Sequence, residues 1–318
     1  VSLRAIVQAL GGELYEGGRR ANIPAPGHSA QDRSVSLLLQ GDRVVVHTFG
    51  DGDWKGVLDH LREHRLIGAD HTLLDGLGAP LLGRPLREPP SARKRLEAAL
   101  RLWEAGRPIG RTLAARHCRL RGLTGILPGP EALRYGHETP VSAYRAGGPA
   151  RPALLAGVQD EAGCYVAVEI TYLAPSGRRA LDLRLPRKTI GAPPPGCAVR
   201  LNPAAEEMLV GEGVFTTCSA SAWFGLPGWA LQSTRNLRMW SPPDGVRRVL
   251  IAADRGKDGE ASAERLRARL AASGVAATVA LPPPPWGDWN EWATRRGSGP
   301  AAGQRGEEGT RRARPGAG

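Results

Sequence analysis

Val249-Leu250-Ile251-Ala252-Ala253-Asp254-Arg255-Gly256-Lys257-Asp258-Gly259-Glu260 is the stretch that decides how this sequence is read. It opens on an apolar run short enough for one buried strand and reaches a carboxylate at Asp254. A glycine-bearing turn then leads into a helical stretch. An Asp at the carboxyl end of a parallel strand stands where open α/β sheets place their ligands and their chemistry. Working outward, Met208-Leu209-Val210-Gly211-Glu212-Gly213-Val214 upstream is another apolar strand ending in a carboxylate beside glycines. Downstream, Gly287-Asp288-Trp289-Asn290-Glu291 is a third acidic cluster after a third apolar run. Asp and Glu also collect at helix N-caps for purely local reasons. Their ordered recurrence after successive apolar strands points instead to a divalent-metal site with Glu212, Asp254 and Asp288 as ligands. Mg²⁺ takes a few carboxylates together with waters and substrate phosphates.

The rest of the chain organises around that region. Residues 204–293 alternate strands at 208–210, 229–231, 248–252 and 277–281 with helices at 213–224 and 260–273. This implies a parallel sheet with right-handed crossovers. Residues 91–203 read as α+β. Helices are expected at 93–105 (Leu96, Ala99, Leu100 and Trp103 on one face) and 112–121, followed by strands at 153–158, 164–172 and 180–185 in an antiparallel sheet. Residues 1–66 read as a small domain with a helix at 2–10, a hairpin of strands 34–39 and 43–47 around Gly41-Asp42, and a helix at 54–61. The Gly-, Pro- and Leu-rich segment 67–90 reads as a linker. The tail from 294 has no apolar periodicity and is expected to be disordered. The fold class is thus α/β, with a Rossmann-like parallel sheet at the C-terminus behind an α+β region and a small β-hairpin domain.

The net charge of +12 is compatible with a polyanionic partner, but a composition rich in Arg, Ala, Gly and Pro makes many proteins basic, so charge alone does not decide. The four cysteines, Cys118, Cys164, Cys197 and Cys218, form no C-x-x-C pair, so a zinc finger of the usual spacing is not expected. No apolar run approaches the roughly 18 residues of a membrane span, and no signal-peptide pattern opens the chain. A reducing cytoplasm is the expected compartment. The tryptophans Trp223, Trp229 and Trp240 sit in apolar elements, and Trp286, Trp289 and Trp292 flank the last acidic motif. Packing is their expected use.

The order Gly211-Glu212-Gly213, Ile251-Ala252-Ala253-Asp254-Arg255 with Gly259, and Gly287-Asp288-Trp289-Asn290-Glu291 resembles the toprim domain shared by primases, topoisomerases and some nucleases. It is most similar to that of phage- and plasmid-type primases and primase-helicases. Those carry a Glu-Gly-x-x-Thr-Ala element like Glu212 to Thr217, then Asp-x-Asp before a Gly and a long helix, and close on Asp-x-Asn-Asp. Here Gly256 stands at the second Asp, with Asp258 two residues on, and Glu291 replaces the last Asp. The N-terminal stretch Pro24-Ala25-Pro26-Gly27-His28, Asp32-Arg33-Ser34-Val35-Ser36-Leu37 and Val46-His47-Thr48-Phe49-Gly50-Asp51 resembles the zinc-binding module of the same primases. Thr48 and Asp51 stand where thiolates would be, and a lone His28 cannot build a tetrahedral zinc site. Leu102-Trp103, residues 112–123 with Arg119 and Arg121, Tyr172-Leu173 and Arg187-Lys188 are similar to the segment preceding toprim.

The resemblance implies Mg²⁺-dependent (or Mn²⁺-dependent) nucleotidyl transfer, with RNA primer synthesis on single-stranded DNA from ribonucleoside triphosphates, in replication of a mobile element. It implies catalysis by Glu212 and Asp254, and metal contact from Glu212, Asp254, Asp288 and Asp258, without zinc. A basic rim of Arg187, Lys188, Arg200 and Arg255 would meet nucleotide or DNA phosphates. No G-x-x-x-x-G-K-[ST] motif occurs, so a replicative helicase would be a separate chain. Two other readings stay open: a toprim nuclease using the same carboxylates, and a non-catalytic single-strand-binding accessory protein.

Overall fold

The computed structural model describes residues 2–28, 32–48, 53–74, 90–144, 147–183 and 185–296. They divide into two compact units with the boundary between Ser91 and Ala92.

The first unit is a four-stranded antiparallel sheet in the order β1 (Glu13–Tyr15), β2 (Arg20–Ile23), β3 (Val35–Gln40), β4 (Arg43–Thr48). The hairpin β3–β4 turns at Gly41, whose φ of 65° is the left-handed conformation glycine adopts freely. Strand β3 alternates buried Val35, Leu37 and Leu39 with half-exposed residues, so one face covers a core. Helices α1 (Arg4–Leu10) and α2 (Trp54–Glu63) supply Ile6, Val7, Val57, Leu58 and Leu61 to that core. The Asp53 side chain caps α2 by accepting from the Lys55 amide. The short strands β1 and β2 lie outside the elements expected from the sequence. Of the anticipated linker 67–90, residues 67–74 extend this unit, with Ile67 buried, and 75–89 fall outside the described residues.

The second unit holds two five-stranded sheets. The antiparallel one runs β5 (Arg107–Pro108), β6 (Leu133–Pro140), β7 (Ala150–Gln159), β8 (Tyr165–Tyr172), β9 (Arg187–Gly191). Helix α3 (Ala92–Glu104) packs on it through Ala98, Ala99 and Trp103. Helix α4 (Leu113–Leu120) is capped by the Thr112 hydroxyl, which accepts from the Ala114 and Ala115 amides. The strand expected at 180–185 is corrected. Residues 181–183 are turn and bend, and the edge strand beside β8 is Arg187–Gly191. Of the Leu181-x-Leu183-x-Leu185 alternation only Leu183 packs against a core, for Leu181 is 79% and Leu185 52% exposed.

The other sheet has the order β10 (Val199–Arg200), β12 (Gly228–Ala230), β11 (Glu207–Gly211), β13 (Arg248–Ala252), β14 (Ala276–Ala280). β11 to β14 pair in parallel, and β10 joins antiparallel. Between these strands run α5 (Val214–Phe224), α6 (Thr234–Met239) and α7 (Lys257–Ala272). Helix α8 (Trp289–Arg296) follows β14, so residues 294–296 continue a helix where a disordered tail is expected. Helix α5 buries Val214, Thr216, Thr217, Cys218, Ser219 and Ala220, small side chains that admit neighbours on several sides. One hydrophobic cluster joins Cys118, Leu133, Leu154 and Val199 to Val214, Cys218 and Ala230, so the two sheets share a core. Trp229 and Trp240 pack edge-on, as do Trp223 and Trp292, and Trp289 packs against Phe224.

Candidate active site at the acidic sheet edge

The registers Gly211↔Ala230, Gly211↔Ala252 and Ala252↔Ala280 align the carboxyl ends of the parallel strands. Glu212 and Asp254 therefore leave neighbouring strands at one edge. The Asp288 loop is tied to the same edge. The Arg255 amide donates to the Gly287 carbonyl at 2.7 Å, and the Arg255 Nε donates to the Pro282 carbonyl at 2.8 Å. Arg255 thus acts through loop positioning.

Asp254 is the most perturbed carboxyl of this edge. Its pKa is pushed up to about 7, first by burial, then by the charges of Glu212 and Asp288, with the Thr216 hydroxyl pulling the other way. Its Oδ1 is buried without a hydrogen-bond partner. Glu212 is also raised, by burial and then by the charge of Asp258, while Arg187 lowers it. Two carboxylates whose ionisation is opposed by burial and by nearby negative charge invite a cation.

Two glycines make this approach possible. At Gly259 a Cβ would sit 2.5 Å from the Asp254 carbonyl oxygen, so glycine lets the first turn of α7 cross the strand end. Gly256 has φ 120° and ψ 157°, a conformation essentially confined to glycine. The position where the resembled family carries its second Asp is therefore one where this backbone does not suit an Asp.

The remaining acidic candidates are partly committed. Asp258 is exposed, pairs with Arg238, and is lowered chiefly by a hydrogen bond from Thr234. Its charge nonetheless reaches Glu212. Asp288 Oδ1 accepts from the Glu291 amide at 2.7 Å, and Glu291 Oε2 accepts from the Gly287 amide at 2.9 Å. This reciprocal pair resembles a capping box at the start of α8. Among the described residues, no three His, Cys, Asp or Glu side chains gather into a group that could hold a metal ion. The donor set still fits Mg²⁺, which is usually held by one or two carboxylates plus waters and phosphate oxygens rather than by an all-protein cage. The uncommitted Asp254 Oδ1 is the atom that calls for a cation.

The basic candidates separate by strand face. Arg187 and Lys188 are neighbours on β9 and point to opposite sides. Arg187 bonds the buried Glu169 at 2.5 Å and acts on Glu212. Lys188 donates to the Val141 carbonyl at 2.6 Å, sits 5.2 Å over the Tyr172 ring, and is lowered by burial. Arg200 stacks on Trp229 at 4.5 Å and donates to the Asp160 and Glu161 carbonyls at 2.6 and 2.9 Å. These two cations bind their own chain.

Residues the sequence reading did not assign complete the edge. Arg121 donates to Asn290 Oδ1 at 2.7 Å and stacks on Phe215 at 4.6 Å; its pKa is lowered first by burial and then by Arg179, with Asp288 pulling it back up and Arg187 lowering it further. Arg121 thus brings positive charge beside Asp288 and Arg187 brings it beside Glu212, with Arg179 close to Arg121. In the first unit, His28 meets Asp32 at 3.1 Å. Asp32 is lowered to about 2, chiefly by the Ser34 hydroxyl and the Ala25 amide. Thr48 ends β4, and Asp51 lies outside the described residues.

Comparison with protein families matches residues 207–299 to the Toprim domain and 93–201 to a domain of unknown function (DUF7146). The chain therefore carries a toprim domain. No curated protein matches the sequence. Among solved structures, the chain is similar to the Aquifex aeolicus primase (zinc-binding and RNA polymerase domains). The identity is 14%, covering 93% of this chain and 80% of that one, with a TM-score of 0.44. It is also similar to the primase fragment of the bacteriophage T7 primase-helicase protein, at 15% identity over 59% of this chain and 68% of that one, TM-score 0.35. A DNA primase domain from Pseudomonas aeruginosa matches at 14% identity over 64% and 75%, TM-score 0.42. Among the described residues no helix is long and apolar enough to cross a membrane.

Proposed function

We propose that this chain is a primase-like toprim protein that makes RNA primers on single-stranded DNA by Mg²⁺-dependent nucleotidyl transfer, in the replication of a mobile element. The observation that carries the reading is Asp254: a half-buried carboxyl with an unpartnered oxygen, held beside Glu212 and pushed up to about 7.

Glu212 and Asp254 would hold Mg²⁺ (or Mn²⁺), with Asp288 at the edge of its water shell, and the ion would supply charge neutralisation at the reacting phosphate. The protein's own part is positioning. Thr216 orients Asp254 through a hydrogen bond. Arg121, Arg179 and Arg187 bring positive charge where triphosphate oxygens would lie. Burial of the edge strengthens each of these interactions by lowering the local dielectric. Ribonucleoside triphosphates and a single-stranded template are the expected partners, with a separate helicase in the replication machinery.

One observation favours the non-catalytic alternative. The backbone at Gly256, φ 120°, does not suit the second Asp of the family's pair. The discriminating experiment supplies the protein with a single-stranded DNA template, four ribonucleoside triphosphates and Mg²⁺. Short template-complementary RNA supports the proposal. Shortened template supports a nuclease. Tight template binding with neither product supports an accessory protein.

A further inference from the structure

We propose that the cavity between β9, the end of β12 and α6 binds the base of a nucleoside triphosphate, with the Gln232 amide reading the polar edge of that base. The inference rests on reading the acidic edge as a site of phosphoryl chemistry.

The cavity has a volume of about 350 Å³, within the range of roughly 300–1,000 Å³ typical of small-molecule sites. Val158, Pro194, Leu231 and Met239 give it apolar walls suited to the faces of a planar ring. Gln232 is its unusual member. Both Nε2 and Oε1 are buried, and neither has a hydrogen-bond partner. Its φ of 68° is left-handed, which is uncommon for a residue other than Gly, Asn or Asp. A strained backbone that buries an unpaired amide is the kind of local cost that clusters at ligand sites.

Asn236, on the same wall, shows the contrast. Its Oδ1 accepts from the Gly196 amide at 2.7 Å, and its Nδ2 donates to the Cys197 and Leu231 carbonyls at 2.6 and 2.8 Å. Asn236 is spent on holding the wall, whereas Gln232 has a donor and an acceptor uncommitted. A primary amide presents these side by side, the pattern that pairs with the edge of a nucleobase.

The cavity is also placed for a nucleotide. The backbone N–H of Gln232 donates to the Glu212 carbonyl at 2.7 Å, so the base reader and the candidate metal ligand are backbone neighbours. Thr189 lines the cavity and lies two residues from Arg187 on the same face of β9, and Arg187 acts on Glu212. A base in the cavity would direct its phosphates toward Arg187, Glu212 and Asp254. A larger cavity of about 1,010 Å³ is lined by the C-terminal half of α5 and residues 122–131, away from these carboxylates, and has no such link.

The test is a calorimetric titration of the full chain in Mg²⁺ without template, using ATP, GTP, CTP and UTP separately and inorganic tripolyphosphate as the base-free probe. Wild type should bind at least one nucleotide about tenfold or more tighter than tripolyphosphate. Gln232→Leu should weaken that nucleotide by about tenfold and leave tripolyphosphate unchanged, because only the base contact is lost. Its ligand-free Tm should equal or exceed that of wild type, since an unpaired buried amide has been removed. Met239→Trp, which fills the cavity and spares Gln232, should give the same selective loss and serves if the first variant folds poorly. Equal binding of tripolyphosphate and all four nucleotides by wild type overturns the proposal. So does unchanged nucleotide affinity in both variants, or a loss confined to single-stranded DNA. Base-dependent binding without any primer synthesis would remove the proposed function and leave this inference standing. Primer synthesis with base-independent binding would do the reverse.

Discussion

Replacing Asp254 by Asn is expected to stabilise the metal-free protein at alkaline pH. The carboxyl moves from an ordinary value of 3.8 to about 7 on folding. At about 1.4 kcal/mol for each pKa unit, that shift corresponds to about 4 kcal/mol. Partial exposure and screening reduce this to roughly 2 kcal/mol. Between pH 4 and 7 the folded chain holds a proton that the unfolded chain releases. Stability therefore falls as pH rises through this window and is level beyond it. Asn imitates the protonated acid, so the variant should lack that fall. It should match wild type near pH 4 and exceed it by roughly 2 kcal/mol at pH 8. Urea denaturation with a chelator present measures this by tryptophan fluorescence. The signal reports mainly the relevant unit, because seven of the eight tryptophans lie beyond Ser91 and Trp54 is the one in the first unit. Mg²⁺ should then stabilise wild type but not the variant, as a ligand of the folded state does. An Asn variant less stable than wild type at pH 8 in chelator would refute the reasoning.

Gly256→Asp, which restores the family residue, should cost about 1–3 kcal/mol of stability because of its φ of 120°; a variant with unchanged urea midpoint would contradict this. Arg187→Gln should weaken single-strand binding and lower its salt slope by about 1, whereas Lys188→Gln should leave the slope unchanged, because Lys188 is spent on Val141 and Tyr172; salt-dependent fluorescence anisotropy separates the two. Metal analysis of purified protein should find less than stoichiometric zinc, and one tightly held zinc per chain would show that the first unit folds around a metal after all.

The parallel sheet was legible because its strands are short apolar runs, two of which, β11 and β13, lead directly to a carboxylate, a pattern that survives burial on both faces. Other elements were hidden for identifiable reasons. Strand β6 contains Gly136 and Pro140 and shifts register between Gly136 and Thr139, which breaks the two-residue period. Strand β9 reads Arg-Lys-Thr-Ile-Gly and is recognisable only by its pairing with β8. The apolar alternation at 181–185 imitates a strand, yet only Leu183 meets a core while Leu181 and Leu185 stay exposed. At the site, the sequence picked out Glu212 and Asp254 through strand-end position. It could not tell which cations face the carboxylates, since Arg187 and Lys188 differ only by the side of β9 they occupy. Arg121, Arg179, Thr216 and Gln232 come from separate elements, and only tertiary structure brings them to this edge.

Template-dependent primer synthesis by wild type and Glu212→Gln, side by side in Mg²⁺, tests the central claim most directly. The substitution removes one negative charge from the acidic edge and nearly preserves its shape. Wild type should extend labelled ribonucleotides into RNA complementary to the template. The variant should make none while binding single-stranded DNA as tightly as wild type or slightly more so. Full synthesis by Glu212→Gln would contradict the site, and no synthesis by wild type in any divalent metal would contradict the function.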